Sequence, residues 1–557
     1  MTAVTSRSVP PARTPAARPG RAGGSGYSSG VTPTAAERNR PRWRSEDPVP
    51  GWLGAIALAG LAFFLRRRHI GTPHQFSFDE TYYAKDAWSL LHHGYVRTYV
   101  EDADKTILNG NLTGLFADTP SMVVHPEVGK WVIASGIEVF GMDPAGWRTA
   151  SAVVGALMVL VMCRFVRRVT GSTVLGLVAG LLLSIDGLQL VLSRLALLDI
   201  FLAFFLLCGV HCVVADRQWL RDRLASERAC SRWLSWWRPW LLVGGVAFGL
   251  ACGTKWSGAY TLAAFGLLAW LWSAGARRAF GERRPLLRSV LLDGVPAFVA
   301  LVGVALATYV ASWTGWLMHA EAYEEAFSNT QYTSHGGGDP WPTASEPDAE
   351  GLGEVTQSLR SLWSYHQDVY TFHSHFLDDS THIYQSKPST WLVMGRPVGV
   401  DAQTDIQPGS QGCAAPSGSS CIRQILLIGN PVIWWGGCLA MFASVLLWIG
   451  ARDWRHGVAV VGLASTWLPW FAFDDRPIFL FYAITCLPFV VLSVVLAMGH
   501  LIGSSDVPTP RRTFGVVVAG SYTVLALIAF AWFWPIWTDE LLTKAEWDAR
   551  IWFQRWI

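Results

Sequence analysis

"GWLGAIALAGLAFFLRRRHIGTPHQFSFDETYYAKD", residues 51–86, runs from an apolar segment through Arg66, Arg67 and Arg68 to two adjacent carboxylates, Asp79 and Glu80. An apolar run of this length closed by cations reads as a membrane span. A carboxylate pair just beyond a span needs a reason, because charge near the bilayer is costly and usually has a partner or a task. The pattern recurs along the chain. Further apolar runs lie near 147–166, 172–187, 197–215, 241–255, 258–274, 292–313, 424–450, 457–473, 477–501 and 514–534. Several fall short of the roughly 20 residues that cross a bilayer upright, so their ends lie beyond the apolar letters. The expectation is an all-α polytopic membrane protein of about eleven spans.

Composition agrees. Of 557 residues 51% are hydrophobic and only 15% charged, and the mean hydropathy is +0.29. Those values exclude a water-soluble enzyme. Thirty Trp suit a protein with long interfacial belts. A net charge of +3 makes no case for nucleic acid. Residues 1–50 are rich in Pro, Arg, Ser and Gly and lack a signal peptide's apolar region. They read as a disordered tail.

The basic residues give an orientation. Arg164, Arg167 and Arg168, the run Arg217 to Arg238, Arg277 to Arg288, Arg452 with Arg455, and Arg511 with Arg512 occupy loops on one side. With eleven spans that side also holds the basic N-terminal tail, and the excess of Arg makes it cytoplasmic. Arg66 to Arg68 are the exception and are expected to meet lipid headgroups. The outer face then carries loops 66–146 and 314–423 and a C-terminal segment, 535–557, expected to be an interfacial helix. Cys413 and Cys421 lie on this oxidising side, where they would close a short disulfide loop or stand as free thiols.

Ser77-Phe78-Asp79-Glu80 reads two ways. It fits a capping box that opens a helix with an apolar stripe of Tyr83, Ala87, Trp88 and Leu91. It also places carboxylates at a helix N-terminus, where an ionised acid can take a proton from a hydroxyl. His125, Glu127 and Lys130 share the same loop. Arg148, Asp199, Lys255 and Arg476 fall at the outer ends of spans. Each alone reads as a snorkelling charge; together they collect acids and cations at one membrane face. Glycosyl transfer from a lipid phosphate suits that set. Cations stabilise the departing phosphate, a carboxylate deprotonates the acceptor hydroxyl, and no nucleotide-cradling loop is needed. His366, His373, His375 and His382 beside Asp378 and Asp379 read as a polar acceptor-facing surface rather than a metal site, and no metal or cofactor is implied.

"FDETYYAKDAWSLL", "HPEVGKW", "GWRTASAVVGAL", "SRLALLDIFLAFF", "GTKWSGAY" and "DRPIFLFYAITCLPF" occur in the order found in protein O-mannosyltransferases, and residues 51–534 resemble that family. The resemblance implies a GT-C bundle that moves mannose, with inversion, from polyprenyl-phosphate mannose to Ser or Thr of secreted proteins. It implies Asp79 and Glu80 as the catalytic acids, Asp79 the likelier base, and Arg148, Lys255 and Arg476 at the donor phosphate. His125, Glu127, Lys130 and Asp199 follow as acceptor-binding or supporting residues. The implied setting is the plasma membrane, with an outward active site, Ser/Thr/Pro-rich acceptors and the secretion machinery as partners. Loop 314–423 is too short for the β-trefoil MIR domain of eukaryotic members, which points to the actinobacterial branch. "HGGGDPWPTASEPDAEG" within it reads as flexible, and "HPEVGK" has Glu127 where a second Pro is usual. A related enzyme acting on a glycolipid or cell-wall glycan is the alternative. A transporter, with paired halves and mid-span charges, fits less well.

Overall fold

The structure is a computed structural model that describes residues 49–226, 236–329, 340–377, 380–503 and 507–557. The expected N-terminal tail, 1–48, and Asp378 with Asp379 lie outside these residues.

Each apolar run contributes a helix, and local chemistry sets the ends. In chain order they are α1 (Val49–Arg67), the short surface helices α2 (Glu80–His93) and α3 (Val128–Phe140), then α4 (Pro144–Thr170), α5 (Thr173–Ser184), α6 (Leu198–Ser226), α7 (Pro239–Cys252), α8 (Gly258–Ala279) and α9 (Pro285–Ala311). The surface helix α10 (Leu352–Thr371) follows, then α11 (Pro431–Ala451), α12 (Trp454–Trp467), α13 (Leu487–Ile502) and α14 (Pro510–Trp537). Seven are long and apolar enough to cross a membrane, and α5, α7 and α13 are shorter apolar helices. Proline at the first turn behind a polar cap starts three spans: Asp143 accepts from Gly146 N, Asn430 from Val432 N and Thr509 from Arg512 N. α4 stops at Gly171, whose φ of 75° closes the helix in the left-handed region. Inside α9 two π-turns flank Pro296, which cannot donate to the helical ladder.

The helices alternate in direction. The segments after α1, α7, α9 and α12 meet around one cavity and so lie at one end of the bundle. Arg168 on Gln218 and Arg217 over Trp454 bring basic helix ends together away from it. At the first end an aromatic cluster of Trp313, Trp316, Tyr323, Trp341 and Tyr365 packs with Leu90 and Val123. A three-stranded antiparallel sheet lies on the same side: β1 (Val398–Ile406), β2 (Cys421–Leu427) and β3 (Leu542–Thr543), in register Val398↔Leu427 and Cys421↔Thr543. A disulfide joins Cys413 to Cys421.

Five expectations change. The run at 424–450 begins as strand β2, because a strand buried along nearly its whole length uses the same apolar letters as a helix. The run at 477–501 is helical in the α sense only from Leu487, after a 3-10 turn over Leu480–Thr485. Segment 535–557 is not one interfacial helix. It completes α14, adds strand β3, and is pinned by Trp547 Nε1 donating to Gln424 and Trp556 Nε1 to the Met394 carbonyl. Arg66 does not face headgroups. It is fully buried and donates to the Ala62 and Ser184 carbonyls and to Gln189. The stretch 340–351 is also tied down, since buried Trp341 donates to Asp368 at 2.8 Å.

Candidate active site

Asp79 and Glu80 are adjacent in sequence and opposite in environment. Glu80 is fully buried. Its carboxylate accepts Arg148 Nε at 2.8 Å and Nη2 at 2.7 Å, Ser77 N at 2.9 Å and Ala196 N at 2.9 Å. Four donors fill both oxygens, so Glu80 has no capacity left for a substrate proton. Arg148 is spent in the same way. Besides Glu80 it donates to the Ile70, Pro73 and Gln75 carbonyls and to Ser77 Oγ. Neither side chain lines the substrate-sized cavity that Asp79 faces, so of the expected roles these bonds favour the supporting one for Glu80 and leave Arg148 turned away from a phosphate. Together they form a buried bidentate clamp that folds loop 70–80 around one guanidinium. Arg194 extends the clamp by donating to the Arg68 carbonyl at 2.8 Å.

That clamp fixes Asp79 at the N-cap of α2, where its side chain makes no capping bond. It opens instead into a cavity of about 620 Å³ between α2, the α7–α8 turn, the end of α10 and the loop after α12. Lys255, Arg476, His125, His373, Lys130 and Asp86 line the same cavity, with aromatic walls from Tyr83, Trp256, Trp470 and Tyr482. Asp86 is neutralised by Lys130 at 3.0 Å. Among the described residues no cation pairs with Asp79. Burial pushes its carboxyl up to about 6, against the pull of the Lys255 ammonium. A base half-ionised near that pH can both accept a proton and release it.

The cations differ. Lys255 Nζ is held by Asp199 at 2.8 and 2.9 Å and lies 4.8 Å from the centre of the Tyr482 ring. Asp199, in the first turn of α6, is buried and positions the ammonium. Arg476 has no carboxylate partner among the described residues; its Nη1 contacts His373 Nδ1 at 3.3 Å. His373 Nε2 lies 3.2 Å from the Val124 carbonyl, which only accepts. Nε2 must therefore carry the proton and Nδ1 the lone pair that faces Arg476. Burial and the Arg476 charge lower His373 to about 4, so the ring is neutral. His125 stacks on it at 5.5 Å, and burial with Lys255 holds it far below the ordinary histidine range.

Glu127, expected as an acceptor-binding or supporting residue, does not face the cavity. It is buried outside the cavity lining, with both carboxylate oxygens unpaired, and burial pushes it up to about 7. The four loop histidines do not converge either. His366 sits under Trp256 and against Tyr309, His375 bonds Ser374, and His382 packs on Phe78 and Phe479. No group of three metal-ligating side chains occurs among the described residues. Sequence reading missed Tyr482, which lies inside an apolar run, and Trp256, in the short gap between two, because neither has a spacing signal of its own.

Two family models cover the chain: dolichyl-phosphate-mannose-protein mannosyltransferase over residues 56–314, and the C-terminal four-span region of protein-O-mannosyltransferase over 358–556. A polyprenol-phosphate-mannose–protein mannosyltransferase of Mycobacterium tuberculosis is 34% identical over 540 residues, covering 92% of each chain. One of Corynebacterium glutamicum is 31% identical over 505 residues, covering 87% of this chain and 88% of that one. Among solved structures, the Saccharomyces cerevisiae protein O-mannosyltransferase Pmt1-Pmt2 complex bound to the sugar donor matches in fold. Its TM-score is 0.65 over 92% of this chain and 94% of that one, at 14% identity.

Proposed function

The chain belongs to the protein mannosyltransferase family, and from that premise we propose how its cavity works. It transfers mannose from polyprenyl-phosphate mannose to a Ser or Thr hydroxyl of a secreted protein, at the extracytoplasmic face. Asp79 takes the hydroxyl proton as the oxygen attacks the anomeric carbon. The bond from that carbon to the phosphate oxygen breaks, and polyprenyl phosphate leaves with the electron pair. Lys255 and Arg476 bear on the charge that develops there, in a cavity walled by aromatic rings where such contacts count for more than in water. Attack from the side opposite the phosphate inverts the anomeric centre. Glu80, Arg148 and Asp199 act through other groups: the first two set the loop that carries Asp79, the third holds Lys255.

One observation carries this reading. Of the two carboxylates in the acidic pair, only Asp79 faces the cavity, while Glu80 is saturated by four donors. The test uses the full-length enzyme in proteoliposomes with labelled polyprenyl-phosphate mannose and a Thr-containing peptide. Wild type labels the peptide; Asp79→Asn, expressed and folded normally, does not. Label appearing on a glycan or lipid with the peptide left bare would replace the acceptor assignment. Peptide transfer at the wild-type rate in Asp79→Asn would remove the base.

A further inference from the structure

Helix α10 has three faces where a helix on a water-exposed loop needs two. One packs on the aromatic cluster through Leu362, Tyr365 and Val369. A second is exposed and polar, with Gln367 and Arg360, the latter paired to Glu346 at 2.7 Å. The third is exposed and apolar. Leu352, Val355, Leu359, Trp363 and Tyr370 follow one another at helical spacing, with Leu352 88% and Trp363 67% accessible. The two exposed rows adjoin, Leu359 and Trp363 lining one groove with Arg360, Ser364 and Gln367. Opposite chemistry on adjoining rows places the helix at a boundary between two environments.

The place of α10 says what the second environment is. His366, one turn from Trp363 and Tyr370, bonds Tyr309 in the last turns of α9 and stacks at 5.3 Å on Trp256 in the α7–α8 turn. The middle of α10 therefore lies level with the ends of membrane-crossing helices. At its C-terminal end Tyr370 comes within electrostatic reach of Tyr260, and both line the cavity. Tyr260 opens the outward-facing row of α8, continued by the exposed Leu267 and Leu271. The apolar row of α10 is thus continuous with a surface that faces lipid in any membrane-spanning arrangement.

We propose that α10 is a membrane-interface helix, whose row Leu352, Val355, Leu359, Trp363 and Tyr370 lies in the outer-leaflet boundary and sets the cavity mouth at lipid level. Its partner is the lipid surface, with Trp363 and Tyr370 at headgroup depth and the polar face of Arg360 and Gln367 turned to water.

The test places nitroxide labels on single added cysteines in the full-length protein in lipid nanodiscs, with the unsubstituted chain as background. Leu359→Cys and Trp363→Cys report the apolar row; Ser364→Cys and Gln367→Cys report the polar face. All four are at least partly accessible, so the fold tolerates the change. Labels at 359 and 363 are expected to relax several-fold more with oxygen, which partitions into lipid, than with a water-soluble nickel chelate. Labels at 364 and 367 show the reverse. Equal chelate access at all four overturns the proposal. So does spin–spin coupling at 359 and 363 that grows with copies per disc, which would assign the row to a second copy of the chain.

Discussion

At the scale of single residues, the two acids of one dipeptide divide their work by what surrounds them. The raised Asp79 carboxyl, about 6, gives an acid limb. Transfer should fall as pH drops through that value, because the base becomes protonated. The pH profile of kcat/KM checks this, and residual activity in Asp79→Asn should be flat across the same range. Loss in that variant should be about 10²–10⁴-fold, the range for a removed general base. Stability should move the other way. A carboxyl raised on folding makes the folded chain less favourable as pH climbs from the ordinary carboxylate range through about 6. Asp79→Asn should therefore melt higher than wild type at pH 7.5, and the gap should close at pH 4. Glu80→Gln is expected to fail differently. It strands Arg148 in a buried site, at about 3–5 kcal/mol for a broken buried pair. A lowered melting temperature alongside lost activity distinguishes the clamp from the base. The residue pattern alone singled out both acids, and only the family resemblance favoured Asp79 as the base. In the structure the ranking rests on Arg148 and the Ala196 N–H, which reach Glu80 from segments 68 and 116 residues away.

At the scale of elements, one short turn ties the site together. Residues 193–199, from the end of the helix Gly187–Leu192 into the first turn of α6, send Arg194 to the loop carbonyl of Arg68, the Ala196 N–H to Glu80 and Asp199 to Lys255. The base and the buried cation are thus positioned from the same backbone. Lys255→Met leaves Asp199 unpaired and should lower both stability and transfer. Lys255→Met with Asp199→Asn removes the orphaned charge, so the double variant should recover thermal stability while transfer stays low. Thermal melts and initial rates on the three proteins decide it; recovered transfer in the double variant would reduce Lys255 to a structural cation. Hydropathy located the spans well because burial in lipid demands long apolar helices. It misplaced the starts at 424 and 477, because a buried strand and a 3-10 turn use the same apolar letters. The C-terminal segment misled for a related reason: Trp547 and Trp556 serve a sheet and loop interior, not a membrane belt.

At the scale of the molecule, helix alternation makes a topological claim. Asp79 and His125, both in the first outer loop, and Lys255, Tyr370 and Arg476 come from four separate loops or helix ends, yet line one cavity. That requires the segments between them to cross the bundle in pairs, and it leaves the basic loops at the far end. On the proposed orientation the Arg-rich end is the cytoplasmic one, and the cavity should then open outward. Two exposed positions test the assignment directly: Gln403, in strand β1 on the cavity side, and Ala451, at the far end of α11. In intact cells a membrane-impermeant maleimide should label Gln403→Cys, while Ala451→Cys should react only after permeabilisation. The opposite pattern would turn the enzyme over in the membrane and put the transfer site in the cytoplasm, where no secreted acceptor would meet it. The disulfide between Cys413 and Cys421, eight residues apart beside β1 and β2, agrees with the outward assignment because such bonds persist in oxidising compartments.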